Sequence, residues 1–201
     1  MPRAAIINYG VGNLFSIKRS LERAGFNVTI CSNKRGLSGI DAIVLPGVGN
    51  FGVGAENIKR IRNNLLELIG EGMPVLGICL GMQLLFEESE ESSGAGLRVL
   101  SGKVIKLPNS VRTPHIGWNT LEDIKPIDVL DGVSEEDYFY FAHKYYAVPA
   151  NKDIIVAKTE YGVNFASVIA QKNIFGVQFH PEKSGKSGEQ LIKNFAKIVK
   201  G

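Results

Sequence analysis

The sequence predicts an α/β protein, with a mostly parallel central sheet flanked by helices and an antiparallel β extension. Three observations carry that expectation. Short apolar runs alternate with amphipathic stretches through the first half of the chain, the second half is β-rich and punctuated by turn dipeptides, and the C-terminal stretch spaces its apolar residues at helical intervals.

Taken in order, residues 4–8 read as a strand and residues 13–24 as a helix stopped by Gly25, since a glycine just past the last apolar position ends a helix at little cost. Strands at 27–31 and 41–45 follow, then a helix from about residue 55 to 69 stopped by Gly70, then a strand at 75–78. Short apolar strands alternating with helices belong in a parallel sheet covered on both faces. A helix over 80–88 comes next. Beyond it, residues 97–107, 138–147, 154–159, 167–170 and 174–179 read as strands, joined by turn signals such as Ser101-Gly102, Asp131-Gly132, Tyr161-Gly162 and Lys172-Asn173. Part of this half supplies the antiparallel extension. Residues 187–200 place Leu191, Ile192, Phe195, Ile198 and Val199 on one face of a closing helix. With no internal repeat, low-complexity segment or linker, residues 1–201 read as one domain.

A chain of 201 residues that is 44% hydrophobic can bury a substantial core. Its net charge of +3 is spread over scattered basic residues, with short groups at 183–186 and 193–200 that suit solvated helix faces, so no nucleic-acid partner is expected. Cys31 and Cys79 lie far apart, without Cys-x-x-Cys or Cys/His spacing, which argues against a disulfide scaffold and a metal site. No apolar span reaches the roughly 18 residues a membrane helix needs, and the N-terminal apolar run is too short for a signal peptide. A cytoplasmic protein with no membrane partner follows, in a compartment where a free thiolate persists.

The chemistry centres on Gly77-Ile78-Cys79-Leu80-Gly81, where a hydrophobic strand delivers a cysteine into a sharp strand-to-helix turn. The pattern is that of a nucleophile elbow, with glycines two residues either side allowing close approach of strand and helix. Unpaired N–H groups and the positive dipole end of the following helix favour a thiolate at Cys79. A cysteine nucleophile needs a base, and the base an orienting group. In Gly176-Val177-Gln178-Phe179-His180-Pro181-Glu182, alternation along a strand sends His180 and Glu182 to the same side, and Pro181 ends the strand there. Carboxyl ends of parallel strands form the ligand crevice of such sheets, so Cys79, His180 and Glu182 can converge as a catalytic triad.

Acyl transfer also needs donors aimed at the oxyanion. Leu80 N–H supplies one, and Pro46-Gly47-Val48-Gly49 after the strand at 41–45 supplies a second. Gly47-Val48-Gly49-Asn50-Phe51-Gly52 also matches the dinucleotide fingerprint Gly-x-Gly-x-x-Gly, but it follows the third strand, opens after Pro46, and its expected acidic partner falls only on helical or post-helical glutamates. Gly10-Val11-Gly12-Asn13 fails at Phe15, and no Gly-Lys-Ser/Thr loop exists, so no cofactor is expected. His143, inside the aromatic run 138–146, reads as core and site wall; His115 sits beside Trp118 in a turn-like segment, where an exposed tryptophan suits an interface and a buried one would equally anchor the extension.

Gly77-Ile78-Cys79-Leu80-Gly81-Met82-Gln83 together with His180-Pro181-Glu182 resembles the class I, triad-type glutamine amidotransferase family. Asn8-Tyr9-Gly10-Val11-Gly12-Asn13-Leu14, Pro46 to Gly52 and Pro114-His115-Ile116-Gly117-Trp118-Asn119 are similar, more narrowly, to the glutaminase subunits of imidazole glycerol phosphate synthases, over essentially the whole chain. The resemblance implies a flavodoxin-like class I glutamine amidotransferase fold. It implies that Cys79 attacks the glutamine side-chain amide, that His180 protonates the departing ammonia and then activates water, and that Glu182 orients His180. Gly47 and Val48 then lie on the oxyanion loop, whose Val48 peptide reorients when the partner's substrate binds. Gly49, Gln83, Glu91, Lys144 and Tyr145 contact glutamine, the last two through backbone. Asn13, His115, Trp118, Asn119 and Lys183 face a (β/α)8 cyclase subunit in a heterodimer, which receives the ammonia and makes imidazole glycerol phosphate and aminoimidazole carboxamide ribotide.

One departure is visible: Lys144 stands where relatives carry a small hydroxyl residue. The rival readings are a glutaminase of another pathway such as anthranilate synthesis, a stand-alone cysteine hydrolase that turns over without activation, and a non-catalytic relative. The intact Cys79, His180 and Glu182 argue against the last, and the Trp118 segment against the others.

Overall fold

The computed structural model describes residues 1–10 and 12–201, so the Val11 position of the N-terminal motif lies outside the described residues. Strand β1 (Arg3–Ile7) leads to helix α1 (Leu14–Arg23), whose N-terminus is capped by the Asn13 side chain accepting from Ser16 N–H. Strands β2 (Asn27–Cys31) and β3 (Ala42–Leu45) flank a single 3₁₀ turn, Lys34–Leu37. Helices α2 (Phe51–Ile58) and α3 (Arg62–Gly70) are separated by the 3₁₀ turn Lys59–Ile61 and precede β4 (Val75–Ile78) and the short α4 (Leu80–Gln83). There follow β5 (Glu88–Ser89), β6 (Gly102–Lys106), β7 (His115–Thr120), β8 (Tyr138–His143), β9 (Tyr145–Pro149), β10 (Ile155–Glu160), β11 (Asn164–Gln171) and β12 (Ile174–Val177). Helix α5 (Gly185–Lys200) closes the chain.

Among the described residues, the central sheet has the order β10-β11-β12-β4-β3-β1-β2. The run β12-β4-β3-β1-β2 is parallel throughout, and β11 and β10 extend it antiparallel. The parallel portion is the flavodoxin-like order, in which the ligand crevice opens outside the carboxyl ends of the strands near the point where strand order reverses. Strands β3, β4 and β12 are buried along their whole length, as the unbroken apolar runs of the sequence require. A core on one face gathers Leu21, Phe26, Phe139, Phe141, Phe165, Phe179 and Phe195; the other gathers Phe51, Ile58, Leu65, Leu84 and Phe86.

Five elements depart from the sequence reading. The helix expected from about residue 55 starts at Phe51. Asn50 accepts from Val53 N–H, and two side chains forty residues away, Glu91 and Ser92, accept from Phe51 and Gly52 N–H. Those remote acceptors satisfy a helix start that a glycine-rich stretch conceals. The helix expected over 80–88 is a single turn, and the strand expected from residue 97 starts at Gly102, for one shared reason. The N–H groups of Leu97, Arg98, Val99 and Leu100 bond to the carbonyls of Leu84, Phe86 and Leu85, so neither segment continues its regular structure. The aromatic run 138–147 is two strands, divided at Lys144. The turn-like segment at 115–120 is a full strand pairing β8 along six residues, His115 with His143 and Trp118 with Tyr140.

Candidate active site

Strand β4 ends by delivering Cys79 into φ +51°, ψ −107°, a conformation that L-residues other than glycine seldom adopt. Its N–H bonds to Val177 O at 2.7 Å, tying the elbow to β12. The backbone tolerates this because the elbow is over-determined by its neighbours. A Cβ on Gly77 would lie 2.8 Å from Met82 backbone, and one on Gly81 would run into the Leu45 carbonyl. The elbow is therefore present, but α4 spans only one turn. Few peptide dipoles align behind Cys79, so the dipole support expected from a helix over 80–88 is slight.

His180 and Glu182 come together by a different route from the one expected. Strand β12 stops at Val177, and Pro181–Lys183 forms a 3₁₀ turn instead of continuing the alternation. The pyrrolidine ring, fixed near the helical φ, suits the first position of that turn. His180 N–H bonds to Tyr140 O at 2.8 Å and Ser184 Oγ donates to His180 O at 2.6 Å, which anchors the His180 backbone from β8 and from the residue that precedes α5. His180 Nδ1 then lies 2.9 Å from Glu182 Oε1, both side chains only 2% exposed. With Nδ1 on a carboxylate, the proton sits there and Nε2 is the ring's free face. That Nε2 is buried without a hydrogen-bond partner. Burial pulls the imidazolium down, but the neighbouring Cys79 and Glu182 outweigh it and raise His180 to about 10. An imidazolium held between a carboxylate and a sulfur is the arrangement that keeps a cysteine ready for nucleophilic attack.

The loop after β3 covers the elbow. Leu80 N–H donates to Gly47 O at 3.4 Å, so the carbonyl edge of the Gly47–Val48 peptide faces Cys79's neighbour and the Val48 N–H points the other way. Gly47 is packed between Leu80, 2.6 Å from an added Cβ, and the Tyr9 hydroxyl at 3.2 Å. Tyr9, from the N-terminal motif, donates its hydroxyl to Pro46 O and is pushed far above the ordinary phenol range by burial and then by Cys79. It is an uncharged post behind the loop.

A cavity of about 160 Å³ opens at Cys79, lined by Val48, Gly49, Leu80, Gln83, Glu91, Pro114, Ala142, His143, Lys144 and Tyr145. All five residues expected to contact glutamine line it. Glu91 also accepts from Phe51 N–H at 2.6 Å, and Lys144 is exposed with its ammonium 5.8 Å from the Tyr145 ring, so the unusual lysine adds no buried charge. Beneath the cavity Gln83 Nε2 donates to Tyr145 O at 2.9 Å and to Gln178 Oε1 at 3.1 Å. His143, a wall of the cavity, is lowered to about 3 by burial, with His115 and His180 adding to the shift against a hydrogen bond to Tyr145. Gln178, Ala142 and Tyr9 also meet at the site, with no role expected for them from sequence. For Gln178 a signal existed, since it shares the strand face of His180.

Of the residues expected to face a partner, Asn13, Trp118 and Lys183 are exposed. Trp118, 55% exposed, packs edge-on to Tyr140, with the Lys183 ammonium 5.6 Å above the same ring. Asn119 is half-buried and spends its amide on Glu160 O. His115 departs from that expectation. Its ring is buried, stacked between Phe141 and Tyr161 and bonded to His143 at 3.1 Å, because alternation along β7 turns it inward while Ile116 and Trp118 face out.

Residues 5–199 match the family described as glutamine amidotransferase class-I. The imidazole glycerol phosphate synthase subunit HisH of Pyrococcus furiosus is 50% identical over 98% of this chain and 100% of its own length. That of Aquifex aeolicus is 46% identical over 96% and 95%. Among solved structures, PurLQS from Thermotoga maritima superposes with a TM-score of 0.80 at 21% identity, covering 98% of this chain and 99% of the other, a likeness of fold. With that fold and these full-length relatives, the chain belongs to the class-I glutamine amidotransferases and, within them, to the family of imidazole glycerol phosphate synthase HisH subunits.

Proposed function

We propose that this chain, as a single domain over residues 1–201, is the glutaminase subunit of a cytoplasmic imidazole glycerol phosphate synthase. It hydrolyses glutamine to glutamate and ammonia and passes the ammonia to a (β/α)8 cyclase subunit for histidine biosynthesis. The observation that carries the reading is the buried, unpartnered Nε2 of His180, with Nδ1 on Glu182 and Cys79 beside it at the foot of the cavity. Among the described residues no helix is long and apolar enough to cross a membrane.

In this mechanism the Cys79 thiolate adds to the side-chain carbonyl of glutamine, and the C=O electrons become an oxyanion. His180, an imidazolium, gives its Nε2 proton to the nitrogen as the C–N bond breaks, leaving ammonia and a thioester. His180 then takes a proton from water, the resulting hydroxide attacks, and the C–S bond breaks to release glutamate. Leu80 N–H is one oxyanion donor. In the resting structure Gly47 O occupies it, and rotation of the Gly47–Val48 peptide both frees it and turns the Val48 N–H inward. The loop is thus a built-in block that partner and ligand binding lift. Replacement C79A tests the assignment. Glutamate release in the presence of the cyclase subunit and its nucleotide ligand falls to background while partner binding persists; residual turnover removes Cys79 from the role.

A further inference from the structure

A buried run of amide and imidazole groups ends at the Cys79 sulfur. Tyr145 O accepts from Gln83 Nε2 at 2.9 Å and faces His143 Nδ1 at 2.9 Å. A backbone carbonyl only accepts, so both facing nitrogens carry protons, and the orientation of everything attached follows from it. Gln83's nitrogen is fixed toward Tyr145, and its second N–H reaches Gln178 Oε1 at 3.1 Å. Gln178 therefore presents its oxygen to Gln83 and its NH₂ to Cys79 Sγ, 3.5 Å away. On the other branch, His143 protonated at Nδ1 accepts at Nε2 from His115 Nδ1 at 3.1 Å, which sets the His115 tautomer too. Gln178 is fully buried and neither end can turn without breaking a bond to an acceptor or placing its oxygen against the sulfur.

We propose that Gln178 is a further catalytic residue, whose Nε2–H donates to the Cys79 thiolate, and that Gln83 is the positioning residue that holds this donor in place. A carboxamide N–H toward sulfur favours the charged form, since a thiolate accepts hydrogen bonds far better than a thiol. The Ala142 carbonyl 3.9 Å from Sγ works in the opposite sense, receiving the thiol proton weakly. With α4 only one turn long, few aligned peptide dipoles support the charged sulfur, and Gln178 adds a directed donor. The same run links the sulfur to β7, the strand whose outer face carries Trp118.

The inference rests on Cys79 being the nucleophile of the glutaminase reading, and its deciding readout, alkylation of the sulfur, does not depend on glutamine turnover. Iodoacetamide alkylation of the intact chain is followed across pH for the wild type, Q178M and the near-isosteric Q178E, with C79A reporting any labelling of Cys31. The pH of half-maximal alkylation at Cys79 moves up by about one unit in Q178M, and further in Q178E, where a carboxylate faces the sulfur. In the complex with the cyclase subunit, kcat falls about tenfold with KM changed less than about twofold, the pattern of an interaction made to the reacting atom. Profiles that overlay on the wild type overturn the proposal even where kcat falls, because a glutamine that merely fills space changes turnover without moving the pH at which the sulfur reacts. Should Q178M fail to fold, Q178E, which keeps the shape, decides alone. A wild-type chain that alkylates normally yet releases no glutamate in the complex overturns the glutaminase reading instead.

Discussion

Replacing Val48 with glycine tests the blocked oxyanion loop. Turning the Gly47–Val48 peptide over rotates ψ of Gly47 and φ of Val48 by roughly 180°, since the planar peptide moves as a unit. Val48 is not among the positive-φ residues of the resting structure, so the turned peptide puts a β-branched residue at φ > 0. That costs roughly 1–2 kcal/mol, which glycine does not incur. Val48 is 40% exposed and fills no core position, so V48G lowers the cost of the active loop without removing buried packing. A gain of about 1–2 kcal/mol in the population of the active loop is roughly a 5- to 30-fold higher glutamate release by the isolated subunit. The fully activated complex, whose loop has already turned, gains little, so the activation ratio shrinks by the same factor. The assay is steady-state glutamate production with and without partner and ligand. An unchanged basal rate with an undiminished activation ratio would refute the reasoning.

The buried histidines predict acid sensitivity. Folded-state values of about 4 for His115 and about 3 for His143, both lowered by burial, lie below the unfolded value near 6.5. The unfolded chain therefore binds the protons first, and the stability these groups contribute above pH 6.5 is lost as pH falls toward 4 and 3. Allowing for the opposite contribution of His180, whose value is raised, urea unfolding at pH 5 should show about 2–3 kcal/mol less stability than at pH 7 from this source, and H115F should lose less; equal acid losses in both chains contradict it. G81A, whose new methyl meets the Leu45 carbonyl, should destabilise the chain by about 3 kcal/mol or more in urea titration, and wild-type stability would show that the elbow packs otherwise. W118A should weaken cyclase binding by about 2 kcal/mol, or roughly thirtyfold, without changing its own urea midpoint; unchanged affinity by calorimetry moves the interface elsewhere.

The parallel sheet and the elbow were legible because they depend on local signals, apolar runs bounded by glycine and a cysteine at a strand end. What the sequence hid depends on contacts distant along the chain. The start of α2 is satisfied by Glu91 and Ser92, and α4 stops because residues 97–100 claim the carbonyls that follow it. Strand β7 looks like a turn because of Pro114 and Gly117, and only pairing with β8 makes it a strand and turns His115 inward. At the site, His180 and Glu182 meet through a 3₁₀ turn where strand alternation was expected. For Gln178 the strand alternation places it on the face of His180, but an amide carries no chemical signature in sequence, so its role is readable only once Gln83 and Cys79 stand on either side of it.

The central claim is a glutaminase whose resting oxyanion loop is blocked until a partner relieves it. Glutamate release should be measured for this chain alone, with the cyclase subunit, and with that subunit and its nucleotide ligand. The account predicts a low rate alone that rises sharply only in the third mixture. Fast turnover by the isolated chain, or none in any mixture, would contradict it.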